Sequence, residues 1–177
     1  MFLLDTSALS HAVNPSSSKF KAVSDFFASS PLLLDQMYVS VVTISEAQFG
    51  FEILQWRATQ GDSKATAERL SEVRNRITQM SSLGTILPVT SHVAKDHAKL
   101  RSAWAQYQVP KMLMGSKLKN KHVELWHENV PPNVLQISEN DLWIAATAIT
   151  HSLALVTVAS DHQRLSLANS DLIVQKL

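Results

Sequence analysis

The sequence predicts an α/β fold, a mostly parallel sheet with helices on both faces. Three observations predict it. Short apolar or β-branched runs alternate with segments of helical periodicity, the order that builds a parallel sheet through crossovers. Several of those runs end in acidic or hydroxylated residues that suit a helix start. The composition, 45% hydrophobic and 18% charged over 177 residues, is globular and large enough for one sizeable core.

The elements follow in order. Phe2-Leu3-Leu4 reads as a buried strand that runs into a helix start at Asp5-Thr6-Ser7. The loop "NPSSS" leads to a helix from about Lys19 to Ala28. Tyr38 to Ile44 is β-branched and reads as a second strand, followed by a helix from Ser45 that Gly61-Asp62 breaks. The next helix, about Ser63 to Ser81, carries Lys64, Glu68, Glu72 and Arg76 at four-residue steps. That spacing reads as a solvated face laced with ion pairs, not as an RNA-binding stripe. Thr85 to Val89 is a third strand, with Pro88 placing it at an edge or an end. A helix from Ser91 to Tyr107, a buried helix opening at "ISEND", the strand "ALVTV" (Ala154 to Val158) and a last strand, Leu172-Ile173-Val174, complete the pattern. One stretch departs from it. Gln106 to Gln136 holds three prolines and four lysines (Lys111, Lys117, Lys119, Lys121) against Glu124 and Glu128, and reads as an irregular insertion within a single domain spanning 1–177.

Several classes are excluded or disfavoured. With no cysteine there is no disulfide, thiolate zinc or iron–sulfur site. The start Met1-Phe2-Leu3-Leu4-Asp5 lacks the roughly 7–15 apolar residues of a signal-peptide core, and no stretch approaches the ~18 of a membrane span, so a cytoplasmic protein is expected. A net charge of +1 neither demands nor excludes a nucleic-acid partner. HExxH, GxSxG, P-loop and GxGxxG patterns are absent.

The chemistry concentrates in carboxylates. In an open parallel sheet, ligands bind beyond the carboxyl ends of the strands. Asp5 ends the first strand, Glu46 follows the second, Asp161 follows "ALVTV", and Asp141 opens the helix that leads into it. Each alone reads more simply as a helix-terminal acid: Thr43-x-x-Glu46 and Ser138-x-x-Asp141 have capping-box spacing, and Asp5 and Asp161 can each start a helix. Four caps should scatter, yet these four map to one edge. Clustered carboxylates are costly unless a cation neutralises them, and all-oxygen ligands suit Mg²⁺ or Mn²⁺. Metal-dependent phosphodiester hydrolysis follows as the reaction class. Glu139, two residues before Asp141, should point elsewhere, as a surface acid or a secondary ligand. The pairs His92/His97 and His122/His127 read as ordinary histidines, and His162 is set aside because a metal-activated water needs no histidine base. Trp56, Trp104 and Trp143 read as core or interface, and Trp126 as the one candidate for stacking on a base.

The segments "LLDTSAL", "ISEAQFG", "ENDLWIAATA" and "LVTVASD", in that order, resemble the PIN-domain ribonucleases, specifically the VapC-type toxins of bacterial toxin–antitoxin systems. "LPVTSHVAKDHAKLRSAW" resembles the helix that precedes the family's third acid. The resemblance implies a three-layer α/β/α, Rossmann-like fold whose acids bind Mg²⁺, with Mn²⁺ as an alternative, and cleave RNA. It matches Asp5, Glu46 and Asp141 to the family's first three acids and Asp161 to a later one. Thr157, with Thr6 or Ser7, is matched to the hydroxyls that support them. Two departures stand out: Ala159 occupies a position where the family often has Asp or Asn, and the lysine-bearing insertion is longer than usual. The implied partners are an RNA substrate, a small antitoxin whose basic tail inserts near the acids, and a second copy of the chain, with no membrane. A non-catalytic PIN-like module binding RNA or protein is the alternative that Ala159 favours. A haloacid-dehalogenase-type phosphatase would want a second aspartate where Ser7 stands.

Overall fold

A computed structural model describes residues 1–29 and 35–177, and of these all side chains except those of 116 and 117, so the Lys117 side chain of the predicted insertion lies outside the described residues. Five strands form one sheet: β1 (Phe2–Leu4), β2 (Met37–Ser40), β3 (Thr85–Leu87), β4 (Ala154–Thr157) and β5 (Val174–Lys176), in the order β3-β2-β1-β4-β5. Every pairing is parallel, with Leu3 opposite both Tyr38 and Leu155. The central strands alternate their side chains between two cores. Leu3 and Leu155 enter one, with Leu100 and Trp104 of α5 (Ser91–Gln108) and Leu142 and Ile144 of α9 (Glu139–Thr150). Leu4, Val39 and Val156 enter the other, with Ala8 and Leu9 of α1 (Thr6–Ala12) and Met80 of α4 (Ala67–Ser82). Phe26 and Phe27 of α2 (Phe20–Ala28) flank this second core. The result is the three-layer α/β/α arrangement the sequence predicts. Truncating Leu155, fully buried between the layers, to alanine is expected to cost roughly 2–5 kcal/mol.

Several boundaries differ from the sequence reading. The second strand stops at Ser40, and Val41 to Ile44 open α3 (Val41–Thr59). The Ser40 hydroxyl accepts the Val42 N–H at 3.2 Å and caps the helix, so four β-branched or apolar residues that favour a strand fold as its first turn. The predicted Thr43–Glu46 capping box is therefore not formed. Thr43 lies inside the helix, and its buried hydroxyl has no partner among the described residues. At the carboxyl end, strand pairing falls on Val174–Lys176, later than predicted. The insertion is not structureless: α6 (Pro110–Leu113), α7 (Ser116–Lys119), a 3-10 segment (Val123–Asn129) and α8 (Pro132–Leu135) form a chain of short helices. Buried Leu118, Val130 and Leu135 tack it down. Gly84 is required by close approach, because a Cβ there would sit 2.7 Å from the Met37 carbonyl oxygen. Among the described residues, no helix is long and apolar enough to cross a membrane.

Candidate active site at the carboxyl edge of the sheet

Asp5 leaves the end of β1 and caps α1. Its Oδ1 accepts the Ala8 N–H at 2.6 Å, the Ser7 hydroxyl donates to both carboxylate oxygens at 2.9 Å, and Thr157, ending the adjacent β4, donates to Oδ2 at 2.5 Å. Ser7 Oγ also accepts the Val158 N–H at 3.3 Å, and Thr157 Oγ1 the Ala159 N–H at 3.0 Å. This web ties the ends of β1 and β4 together and fixes the Asp5 rotamer in a nearly buried position.

Glu46 projects from the second turn of α3. The Thr6 hydroxyl donates to Oε2, and Asn140 Nδ2 donates to Oε1 at 2.8 Å, so the carboxylate is clamped between α1 and α9. Asp141 sits in the first turn of α9. Ser138 Oγ accepts the Asp141 N–H at 3.0 Å and donates to Asp141 Oδ2 at 2.7 Å. The capping geometry expected from Ser138-x-x-Asp141 is present, except that the carboxylate takes the serine hydroxyl rather than a backbone N–H.

Asp5, Glu46 and Asp141 line one cleft of about 580 Å³, with Arg76 and Ala159 on its wall. Beneath them lies His162, 1% exposed, its Nε2 3.6 Å from both Asp5 Oδ2 and Asp141 Oδ1. Those two oxygens are therefore no more than twice that distance apart. A separation of 3.6 Å is too long for a hydrogen bond, and the buried His162 Nδ1 has no partner among the described residues.

Asp161 is not brought to the other three. It opens α10 (Asp161–Ser166) outside the cleft lining, 48% exposed, facing Arg164 Nη1 at 3.5 Å. That guanidinium also lies over the Trp104 ring, 5.6 Å from its centroid, which draws the pair away from the cleft. Glu139 turns to the opposite side of α9, as expected. It meets Arg101 Nη1 at 3.0 Å and His97 Nε2 at 2.8 Å on α5. Burial holds the His97 imidazole below its ordinary range, outweighing the pull of Glu139, and its ring stacks on Trp143 at 3.8 Å. Trp126 lines a second cleft, between α5 and the short helices, and not the acid cleft. Its Nε1 donates to the Lys121 carbonyl at 3.2 Å.

Three residues of the site escape sequence reading. Asn140 stands inside the acidic cluster but signals nothing by itself, His162 is masked by the acid beside it, and Arg76 is hidden in an ion-pair ladder. Among the described residues, no three histidine or acidic side chains form a ready-made metal cage. The donor chemistry nonetheless fits a hydrated hard ion. Mg²⁺ keeps several waters and is held through one or two carboxylates, and Asp5 and Asp141 offer all-oxygen donors whose own partners are neutral hydroxyls and amides.

A PIN-domain sequence family matches residues 2–167 of the chain. Among solved structures, FitAcB from Neisseria gonorrhoeae is 25% identical, with 98% of this chain and 96% of that one aligned and a TM-score of 0.60. VapBC-5 from Mycobacterium tuberculosis, a member of the VapBC family of toxin–antitoxin systems, is 19% identical over 99% of this chain and 98% of that one, with a TM-score of 0.57. VapBC2 from Rickettsia felis, bound to a DNA fragment from the promoter, is 16% identical over 99% and 97%, with a TM-score of 0.59. No curated protein sequence matches the chain.

Proposed function

This chain belongs to the PIN-domain family, and from that premise we propose that it is a metal-dependent endoribonuclease acting as the toxin of a toxin–antitoxin pair. The observation that carries the reading is the convergence of Asp5, Glu46 and Asp141 on one cleft at the carboxyl edge of the sheet. Their partners are neutral, which leaves the negative charge for a cation and the substrate's phosphate.

In this reading Asp5 and Asp141 hold the ion, with Glu46 across the cleft. A Mg²⁺ or Mn²⁺ held there would supply Lewis acidity, making a water more nucleophilic and offsetting negative charge on the phosphate. The chain's own residues set the geometry. Ser7 and Thr157 hold the two Asp5 oxygens, Thr6 and Asn140 orient Glu46, and Ser138 orients Asp141. Asp161, facing Arg164 outside the cleft, is left out of the ligand set. Preorganised groups of this kind act by being in place before the reaction begins.

The antitoxin is proposed as the partner because several structural neighbours are VapBC complexes. A basic tail entering the cleft would neutralise the carboxylates and exclude metal and RNA. A second copy of the chain is carried over from the resemblance alone. One observation favours the second reading, a non-catalytic module: the cleft wall carries the Ala159 methyl where the resembled family often has Asp or Asn.

Cleavage of total RNA with Mg²⁺, with Mn²⁺ and with EDTA separates the two. Discrete fragments that need metal and vanish in Asp5→Asn and Asp141→Asn support the nuclease. Equal background in wild type and both variants supports the binding module.

A further inference from the structure

The four-step series Lys64, Glu68, Glu72, Arg76 does not behave as one solvated face. Lys64 precedes α4, and within the helix Arg69 and Arg76 both reach Glu72. The two arginines then diverge. Arg69 stays at the surface, 48% exposed, whereas Arg76 is 27% exposed and lines the acid cleft together with Val73, Ile77 and Met80 of the same helix.

Two contacts set where its guanidinium sits. Nη2 donates to Glu72 Oε1, one turn back, and to Asn14 Oδ1 in the α1–α2 loop at 3.1 Å. Among the described residues, Glu72 is its only carboxylate partner, so Arg76 shares a cleft with Asp5, Glu46 and Asp141 without collapsing onto any of them. Both contacts use Nη2. Among the described residues, Nη1 and Nε have no partner, which leaves three of the five guanidinium N–H donors unspent.

Charge gives those donors a use. Three carboxylates carry one more negative charge than a single divalent ion cancels, and an RNA phosphate adds another. An arginine on the same wall offsets the excess, and its fixed N–H groups direct hydrogen bonds at phosphate oxygens in a way a point charge does not. We propose that Arg76 is a phosphate-binding residue of the cleft, whose free Nη1 and Nε donors take the non-bridging oxygens of an RNA phosphodiester, with Glu72 and Asn14 holding it off the acids. This rests on the nuclease reading of the same cleft and adds to it the residue that receives the substrate backbone.

The test compares wild type, Arg76→Ala and Arg76→Lys, with circular dichroism and thermal unfolding to verify folding. In Mg²⁺-dependent cleavage, KM for a single-stranded RNA should rise roughly tenfold or more in Arg76→Ala, more than kcat falls, with partial recovery in Arg76→Lys. Mn²⁺ affinity, followed by electron paramagnetic resonance, should be unchanged. In a separate arm, binding of a fluorescein-labelled single-stranded RNA is measured against salt in the Asp5→Asn background. There the slope of log affinity on log salt should fall in magnitude by about 1 when Arg76 is removed. An unchanged KM together with an unchanged salt slope, in folded protein, overturns the assignment. Absence of metal-dependent cleavage in wild type overturns the nuclease reading instead, and the binding arm then still decides whether Arg76 holds a phosphate.

Discussion

Glu139 and Asp141 stand two residues apart in the first turn of α9 and meet opposite fates. Glu139 faces α5, where the Arg101 guanidinium at 3.0 Å takes its charge and His97 Nε2 lies at 2.8 Å. Asp141 faces the cleft, where its closest donor is the Ser138 hydroxyl at 2.7 Å. Two residues turn a helix by about 200°, enough to send neighbouring acids to opposite faces. An acid met by a fixed cation is spent on structure, while one held by neutral hydroxyls keeps its charge for a ligand. Cleft size does not make this distinction, since the cavity beside His97 and Arg101 is also about 580 Å³.

Substitutions can break that contrast. The largest effect is expected at the cleft acids: Asp5→Asn and Asp141→Asn should each lower metal-dependent RNA cleavage by at least about 100-fold, since several kcal/mol of charge stabilisation run through the ion, while Glu139→Gln stays within about twofold of wild type. Next comes Thr157→Val, which keeps shape but removes the donor at 2.5 Å from Asp5 Oδ2. Its activity should drop about tenfold, as expected for roughly 1–1.5 kcal/mol of lost orientation, read as kcat at saturating RNA. On the other side of α9, Glu139→Gln should cost about 1 kcal/mol in urea unfolding, through its partly buried contacts with Arg101 and His97.

The smallest effect is a pH dependence. Burial holds the folded His97 imidazole below its ordinary value of 6.5, so on acidification the unfolded chain takes up a proton first. Stability present above pH 6.5 should be lost progressively as the pH falls between that value and the lowered folded one. Urea midpoints measured across this window should fall less steeply for His97→Gln than for wild type.

The sheet and the three acids were legible because strands this short leave few ways to place their end residues. "LLD" must bury two leucines on opposite faces and deliver Asp5 at the edge, and Leu3 and Leu4 do enter different cores. Asp141 was legible because Ser138-x-x-Asp fixes a helix start. The second strand was read too long because Val41-Val42-Thr43-Ile44 has strand propensity, and a single cap at Ser40 overrides it. The short helices of the insertion were missed because each spans about one turn and shows no periodicity. Asp161 was placed by spacing and by the resemblance, and neither registers the Arg164–Trp104 contact that holds it outside. Arg76, Asn140 and His162 were not assigned to the site for the same reason: each meets it through a tertiary contact, from α4, α9 and α10, that no local pattern encodes.

The central claim is that the charge of Asp141, and not that of Glu139, is kept for a cation. Mn²⁺ titration of wild type, Glu139→Gln and Asp141→Asn by isothermal calorimetry tests it most directly. The account predicts matching affinity for wild type and Glu139→Gln, with binding lost or weakened at least about 100-fold in Asp141→Asn. Equal weakening in both variants, or Mn²⁺ binding unaffected by Asp141→Asn, would contradict it.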